Sequence, residues 1–394
     1  MGRPLEQAEF NRLSRLWLCA LVAVLSMVFA ACTPGATSTP PATEREPSAS
    51  SSTPPPTLNP AAPTYYHGVF PGGRTGEEDD ITLADLTSYE QTVGKQAAWV
   101  YFSDNWYHGR AFPTGTAAWI RDAGSLPWLR LMLRSSSDQD VAEPVYNLKA
   151  ILAGRFDADL RTWCDGARDF GSPLLVEWGT EANGEWFSWN GSWNGGATST
   201  GYGDRHRADG PERFVDVFRH LVTTCRERGA DNVRWAWHVD AESWPRDEWN
   251  DLEAYWPGSD VVDVIAVSAY GAQQPTDTES SSLRSLLDPA YPRLTALARA
   301  CGEPVVLAEF GVTDHNPRVD QAEWAKQALT DITGGRWPGL AGFSWWNEQW
   351  ENDDNPAHDT TMRVQDNPKL AAVFTDLVGR NNQVLARLPD GVLR

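Results

Sequence analysis

Basic residues are few in this chain of 394 residues, with 33 Lys and Arg against 53 Asp and Glu, and the formal net charge is −20. A surface of that sign repels phosphate backbones and anionic headgroups, which excludes nucleic acid and electrostatic docking on membranes. A neutral ligand fits better. Cysteine is also rare, at five, and none has metal-ligand spacing, so no metal centre is expected from the cysteines. No glycine-rich phosphate turn follows an early strand: Gly201-Tyr202-Gly203 lacks the third glycine and reads as loop. That removes the main support for a nucleotide-dependent enzyme and for a doubly wound open sheet. No cofactor is expected. The one long apolar stretch, Leu16 to Ala31, falls short of the about 20 residues that a helical membrane span needs.

What is present begins with an export signal. Arg3, Arg12 and Arg15 lead into the apolar stretch, which ends at Phe29-Ala30-Ala31-Cys32. This resembles a bacterial lipobox, with Phe29 where Leu or Val is usual. Cleavage before Cys32 and lipidation of its thiol would remove residues 1–31 and anchor the rest at the outer face of the cell membrane or in the wall. A signal peptide cut nearby, or an uncleaved anchor, is the alternative; each places the chain outside the cell. Residues 32–63 read as a tether, since residues 33–63 hold nine Pro, six Thr, five Ser, one Leu and no aromatic residue. Such a segment buries too little apolar surface to fold, and its prolines keep it extended. In an oxidising compartment Cys164 and Cys225, on consecutive expected helices, form one bridge; three buried thiols, counting Cys301, is the other reading.

From Tyr65 onward, short β-rich apolar runs alternate with segments of helical period, the pattern of parallel strands joined by crossover helices. Eight strands are expected: 65–70, 97–102, 127–133, 174–178, 233–238, 264–269, 305–308 and 340–345. The clearest helices are 157–170, 211–228, 283–299 and 320–332. Eight units in a single domain at 64–394 predict an α/β fold, a (β/α)₈ TIM barrel.

In such a barrel the functional side chains sit at the C-terminal ends of the strands. Strand four leads into Glu181 and strand seven into Glu309, two carboxyl groups facing one mouth, as glycoside hydrolysis requires. Aromatic residues crowd the same ends: the chain has 20 Trp against 13 Phe and 10 Tyr. Sugar rings stack apolar C–H faces on indole and need polar partners for their hydroxyls, so Asn183, Trp186, Trp189, His238, Tyr270, Trp345 and Trp346 are the candidate substrate contacts. Core packing is the competing reading, and for Trp235 and Trp237 it is at least as good. Asp353 and Asp354 read as a solvated turn rather than a calcium site.

The run Glu181-Ala182-Asn183-Gly184-Glu185-Trp186-Phe187-Ser188-Trp189-Asn190-Gly191 resembles the acid/base segment of glycoside hydrolase family 26, best known for endo-β-mannanases. Leu252 to Gly258, Val262 to Val267 with Tyr270, and Pro304 to Gly311 resemble that family's approach to strand six and its nucleophile strand. The resemblance covers about residues 65–378. It implies retention by double displacement, with Glu181 as acid/base, raised in pKa, and Glu309 as ionised nucleophile, the carboxyl groups about 5 to 5.5 Å apart. It also implies that Tyr270 hydrogen-bonds Glu309 and that Trp345 or Trp346 floors the subsite of the cleaved sugar. Three positions depart from the family pattern: Thr180 replaces His, Glu177 replaces Arg, and Ser268 replaces Asp. The expectation is therefore a monomeric, lipid-anchored retaining endo-glycosidase acting on a β-linked polysaccharide, mannan or another glucan or xylan. The alternative is a surface lipoprotein that binds glycan without cleaving it.

Overall fold

A computed structural model describes residues 64–388. The export signal, Cys32 and the tether lie outside the described residues. The elements run Tyr65–Phe70 (β1), Leu83–Val93 (α1), Trp99–Asn105 (β2), Thr114–Asp122 (α2), Leu126–Met132 (β3), Leu148–Leu152 (α3), Asp157–Phe170 (α4), Leu174–Trp178 (β4), Asp209–Glu227 (α5), Val233–Asp240 (β5), Val264–Tyr270 (β6), Leu283–Cys301 (α6), Val305–Gly311 (β7), Gln321–Thr333 (α7), Leu340–Trp346 (β8) and Pro368–Phe374 (α8). Two short strands follow β8, Gln349–Trp350 (β9) and Thr360–Thr361 (β10), and Val384–Leu385 (β11) pairs in parallel with the start of β1.

Strands β1 to β8 pair in sequence order, all parallel, and β1 also pairs with β8 over Tyr66–Phe70 and Gly342–Trp346, which closes the ring. This is the expected (β/α)₈ barrel, with one variation: β5 and β6 are joined through the 3₁₀ turns Glu248–Asn250 and Leu252–Tyr255 rather than an α-helix. A strand in such a ring is covered on both faces, by the barrel interior and by the helices, so its residues are apolar almost without alternation. In β6 only Tyr270 is not fully buried.

Several strands extend past their apolar runs. Strand β2 continues through Ser103, Asp104 and Asn105, β5 to Asp240, β7 to Gly311 and β8 to Trp346. Backbone pairing with a neighbour holds the polar residues among them in the ladder where hydropathy alone would end the strand. The extensions all lie at C-terminal ends, where they lengthen the rim around the barrel mouth.

The helices follow the apolar stripes. On α4 the buried positions are Leu160, Trp163, Cys164 and Ala167; on α5 they include Phe214, Val217, Phe218, Leu221 and Cys225. This three-and-four spacing turns one side of each helix inward. Helix α4 stops at Gly171 in the left-handed conformation, with φ 70°. Asp320 stands just before α7 as its N-cap and accepts from the Glu323 amide.

Cys164 and Cys225 are bonded, with Cα atoms 4.9 Å apart, so the two stripes are cross-linked as well as packed. The bridge closes a loop with a sequence separation of 61, and in the chain-entropy account such a loop constrains the unfolded chain by about 4 kcal/mol. The double substitution Cys164→Ala/Cys225→Ala is expected to lower the calorimetric Tm by several degrees while leaving glycan affinity unchanged, because both helices lie outside the ring. An unchanged Tm would show that helix packing alone sets the stability of this side of the barrel.

Candidate active site

Inside the barrel the strand register builds a charged layer. Arg130 on β3 stands opposite Ser103 on β2 and Glu177 on β4. The guanidinium is buried, with Nη1 3.0 Å from Glu78, and Nε 3.8 Å from Glu177 and 3.7 Å from Glu309. Arg134 adds a second cation 3.5 Å from Glu78. Glu177 accepts hydrogen bonds from Tyr101, Thr180 and the Trp128 indole, the last at 3.0 Å, and its Oε1 lies 3.1 Å from His238 Nδ1. Burial opposes its charge, but the His238 imidazole, Arg130 and Thr180 outweigh burial and hold its pKa below the usual glutamate range. Burial likewise opposes the His238 cation, and Glu177, Glu309 and Glu181 outweigh it, so the imidazole pKa is raised.

Glu309 reaches this layer because β7 carries a bulge. Leu307 pairs with Val267 of β6 and Phe343 of β8, yet the next pair on the β6 side is Glu309 with Ser268. Ala308 is the extra residue. Strict alternation would put Glu309 on the same face as Leu307; the bulge turns it to the side of Ser268, whose hydroxyl lies 2.7 Å from His238 inside the barrel. There Tyr270 O–H donates to Glu309 Oε2 at 2.8 Å, while Oε1 meets no hydrogen-bond donor among the described residues.

Glu181 arrives by a different route. After Trp178 the chain turns at Gly179, φ 73°, where a Cβ would lie 2.3 Å from the Phe214 ring, so only glycine fits. Glu181 itself has φ 49°, a left-handed conformation uncommon for a side chain of its size. Its surroundings hold it there: the Ala182 amide donates to His238 O at 3.0 Å and the Gly184 amide to Glu181 O at 2.8 Å. The Trp186 indole donates to Glu181 Oε2 at 2.6 Å.

Both carboxyl groups open on one cleft of about 650 Å³, lined also by Glu78, Arg130, Trp186, Phe187, Asp240, Tyr270, Trp346, Glu348 and Trp350. Of the expected contacts, Trp186, Tyr270 and Trp346 line it. Trp346 does so with little free face, because Phe70 stacks on it at 3.9 Å and the Arg130 guanidinium sits 5.1 Å from its ring centre.

Four other residues expected to contact substrate do not line the cleft. Asn183 braces the loop through the Asp240 backbone and Ser243; Trp189 stacks on Phe187 and donates to Thr180 O. His238 sits below the cleft between Glu177 and Ser268. Trp345 faces outward, against Phe310, Trp324 and Phe374, and donates to Met362 O. Trp235 and Trp237 are core. Asp353 is a turn residue bonded to His358.

Sequence reasoning missed Arg130, Glu78, Asp240 and Glu348. Arg130 inside the apolar run Leu129–Met132 was the available signal, since a cation there has to be paired.

Ligand atoms of Glu177, His238 and Glu309 lie within 4.8 Å of one another, but Arg130 supplies the positive charge among them. Burial pushes the Glu309 carboxyl up to about 7, with Glu181 and Glu177 adding to the push while Arg130 and His238 oppose it. Burial thus works against the ionised Glu309 that the resemblance implies, and Arg130 and His238 work for it.

The sequence profile of glycosyl hydrolase family 26 matches residues 146–326. Among curated proteins, the chain is 24% identical over 319 residues to Endoglucanase H of Acetivibrio thermocellus, covering 80% of this chain and 31% of that one. It is 24% identical over 240 residues to the mannan endo-1,4-beta-mannosidase of Bacillus subtilis, covering 58% and 57%. The chain thus spans about a third and just over half of the lengths of these relatives. Among solved structures, a family 26 beta-mannanase from Bacteroides ovatus superposes with a TM-score of 0.57 at 18% identity, over 84% of this chain and 92% of that one. An endo-beta-1,4-mannanase of Cellulomonas fimi gives 0.60 at 18% identity, over 84% and 74%. At that identity the structures speak for the fold alone, and the profile match makes residues 146–326 of this chain similar to glycosyl hydrolase family 26.

Proposed function

We propose that this protein is a retaining endo-glycosidase that hydrolyses a β-linked polysaccharide, exported and held at the cell surface by a lipid on Cys32. The observation that carries the reading is the pairing of Glu181 and Glu309 across one cleft, each with one oxygen held by a single aromatic donor, Trp186 or Tyr270.

The free Oε1 of Glu309 is the atom that attacks the anomeric carbon, while the Tyr270 hydroxyl and Arg130 favour the anion on that carboxylate. Glu181 gives its proton to the leaving glycosidic oxygen, then takes one from the water that releases the glycosyl-enzyme ester. The matches to proteins named endoglucanase, mannosidase and beta-1,3-xylanase support a neutral β-linked backbone. The departures at Glu177, Thr180 and Ser268 favour a β-glucan or xylan over mannan as the first substrate to try. Export is supported by the leader and by the Cys164–Cys225 bridge, since such bonds persist in oxidising compartments. The protein acts as a monomer in this reading.

Glu309→Ala and Glu181→Ala are each expected to remove at least about a thousandfold of kcat while oligosaccharide binding stays within a few-fold, because each removes chemistry and little contact area. Reducing-sugar release from β-mannan, mixed-linkage glucan, cellulose and β-1,3- and β-1,4-xylan tests this. The anomer first formed, read by proton NMR, tests retention. Binding of these glycans without release by the unaltered protein would favour the binding lipoprotein instead.

Because the nucleophile works as the anion and its pKa is raised, activity should fall as pH drops through about 7. The acid limb of the kcat/KM profile reads this directly, and a limb at ordinary glutamate values would count against it. Cys32→Ser should move the full-length protein out of the membrane fraction of a bacterial expression host; unaltered fractionation would remove the lipid anchor from the reading.

A further inference from the structure

Beyond the catalytic pair, the segment leaving β8 keeps a period of two. Trp346, Glu348, Trp350 and Asn352 all line the cleft, while Asn347 turns away to accept from the Val364 amide and Gln349 turns away to accept from Arg74. Alternation of this kind puts every second side chain on one face. Strand β8 is also four places from β4 in the ring of eight, so this arm forms the wall opposite Glu181.

The side chains on that wall are held in place. Glu348 is 2% exposed. Its Oε2 accepts from the Trp346 indole at 3.0 Å, and its backbone oxygen accepts from the Met362 amide at 2.9 Å. Gly72 packs so closely on its stem that a Cβ there would lie 2.7 Å from both Cβ and Cγ of Glu348. The indole of Trp350, half-buried, donates to Asn352 Oδ1 at 3.1 Å, and the Asn352 amide is fixed by His358 O and Thr360 Oγ1 at 2.7 and 2.8 Å.

On the cleft face of this arm one carboxyl oxygen is unused. Glu348 Oε1 has no hydrogen-bond partner among the described residues, although it is buried beside the cleft. Arg130 is committed to Glu78, Glu177 and Glu309, and Arg363 to Asp85, Asp366 and Gly72. Burial raises the Glu348 carboxyl to about 8, Glu78 and Asp80 add to that from the segment between β1 and α1, and Arg130 opposes it from β3. With Oε2 already accepting from Trp346, the proton belongs on Oε1. An uncharged acid with its O–H unpaired at a cleft wall is a donor waiting for an oxygen.

We infer that the Trp346–Asn352 arm is a sugar-binding strip for units of the chain beyond the cleavage point, in which Glu348 donates a hydrogen bond to a sugar oxygen and Trp350 stacks on a ring. The strip takes an uncharged sugar, since it presents an acid, two indoles and an amide and no cation. It rests on the proposed reading only in that a glycan occupies the cleft.

Binding to the inactive Glu309→Ala protein tests the strip without using catalysis, by calorimetry with β-1,4-linked gluco- and manno-hexasaccharides and β-1,3-linked xylohexaose. Adding Trp350→Ala or Glu348→Ala should each weaken the hexasaccharide that binds best by about tenfold or more, the scale of one good contact. Binding of the matching disaccharide should change less than threefold. Glu348→Gln keeps an N–H donor of the same reach and should stay within about threefold of the parent at pH 7. Above pH 9 the parent should lose affinity as Glu348 ionises, and the Glu348→Gln protein should not. That pH comparison needs only the parent and the isosteric variant, so it survives a failure of Glu348→Ala to fold. Equal affinities across the set, equal losses in Glu348→Gln and Glu348→Ala, or no binding of any hexasaccharide would overturn the strip. Polysaccharide hydrolysis by the unaltered protein, measured separately, decides the catalytic reading.

Discussion

A single buried cation holds the functional end of this barrel together. Arg130 stands among Glu78, Glu177 and Glu309, three carboxyl groups that would repel one another at such depth, and two of them approach its Nε to within 4 Å. Desolvating any of these charges alone costs several kcal/mol, and the arrangement is tolerable only because opposite charges and donors face each other at every lone pair but a few. The Arg130 pKa is raised far beyond its ordinary value even though burial opposes the charge. Removing the guanidinium would leave uncompensated anions, a loss on the order of 3–5 kcal/mol, so the same side chain serves the stability of the fold and the ionisation of Glu309.

Around that charge the two central carboxyl groups are delivered by two kinds of backbone irregularity. A regular strand would turn Glu309 away from the barrel; the extra residue Ala308 reverses its face. A regular strand end would not place Glu181 where it is; a glycine turn followed by a left-handed residue does. Each irregularity costs local stability, and each is held by hydrogen bonds from the same pocket, Tyr270 to Glu309 and Trp186 to Glu181. The strain and the chemistry therefore occupy the same few residues.

Eight strands and four long helices were legible in the chain because each rests on a local regularity, an apolar run, a three-and-four stripe or a stop glycine; the Cys164–Cys225 bridge was one of two readings that the sequence left open. The polar strand ends were not legible, since their pairing partners are distant in sequence. The aromatic residues divided in the same way. Trp186 and Tyr270, expected at the cleft, line it; Trp345 lies one step along β8 from Trp346 and so faces the opposite side, and Trp189, in the turns after β4, packs on Phe187 instead. The Glu348–Trp350–Asn352 alternation was visible in the sequence as well, but nothing local told whether that segment stayed extended.

The amino-acid sequence by itself determined the barrel, the acidic surface that suits a neutral ligand, and the two glutamates at the ends of strands four and seven. It did so because periodicity and composition are properties of neighbours along the chain. Only the tertiary structure decided which of the aromatic residues face the cleft, that Arg130 sits among three acids, that Glu309 is turned inward by a bulge, and that its carboxyl is pushed up to about 7. Those features depend on register between strands and on charges from separate elements meeting in one buried volume, and neither is written in any one stretch of sequence.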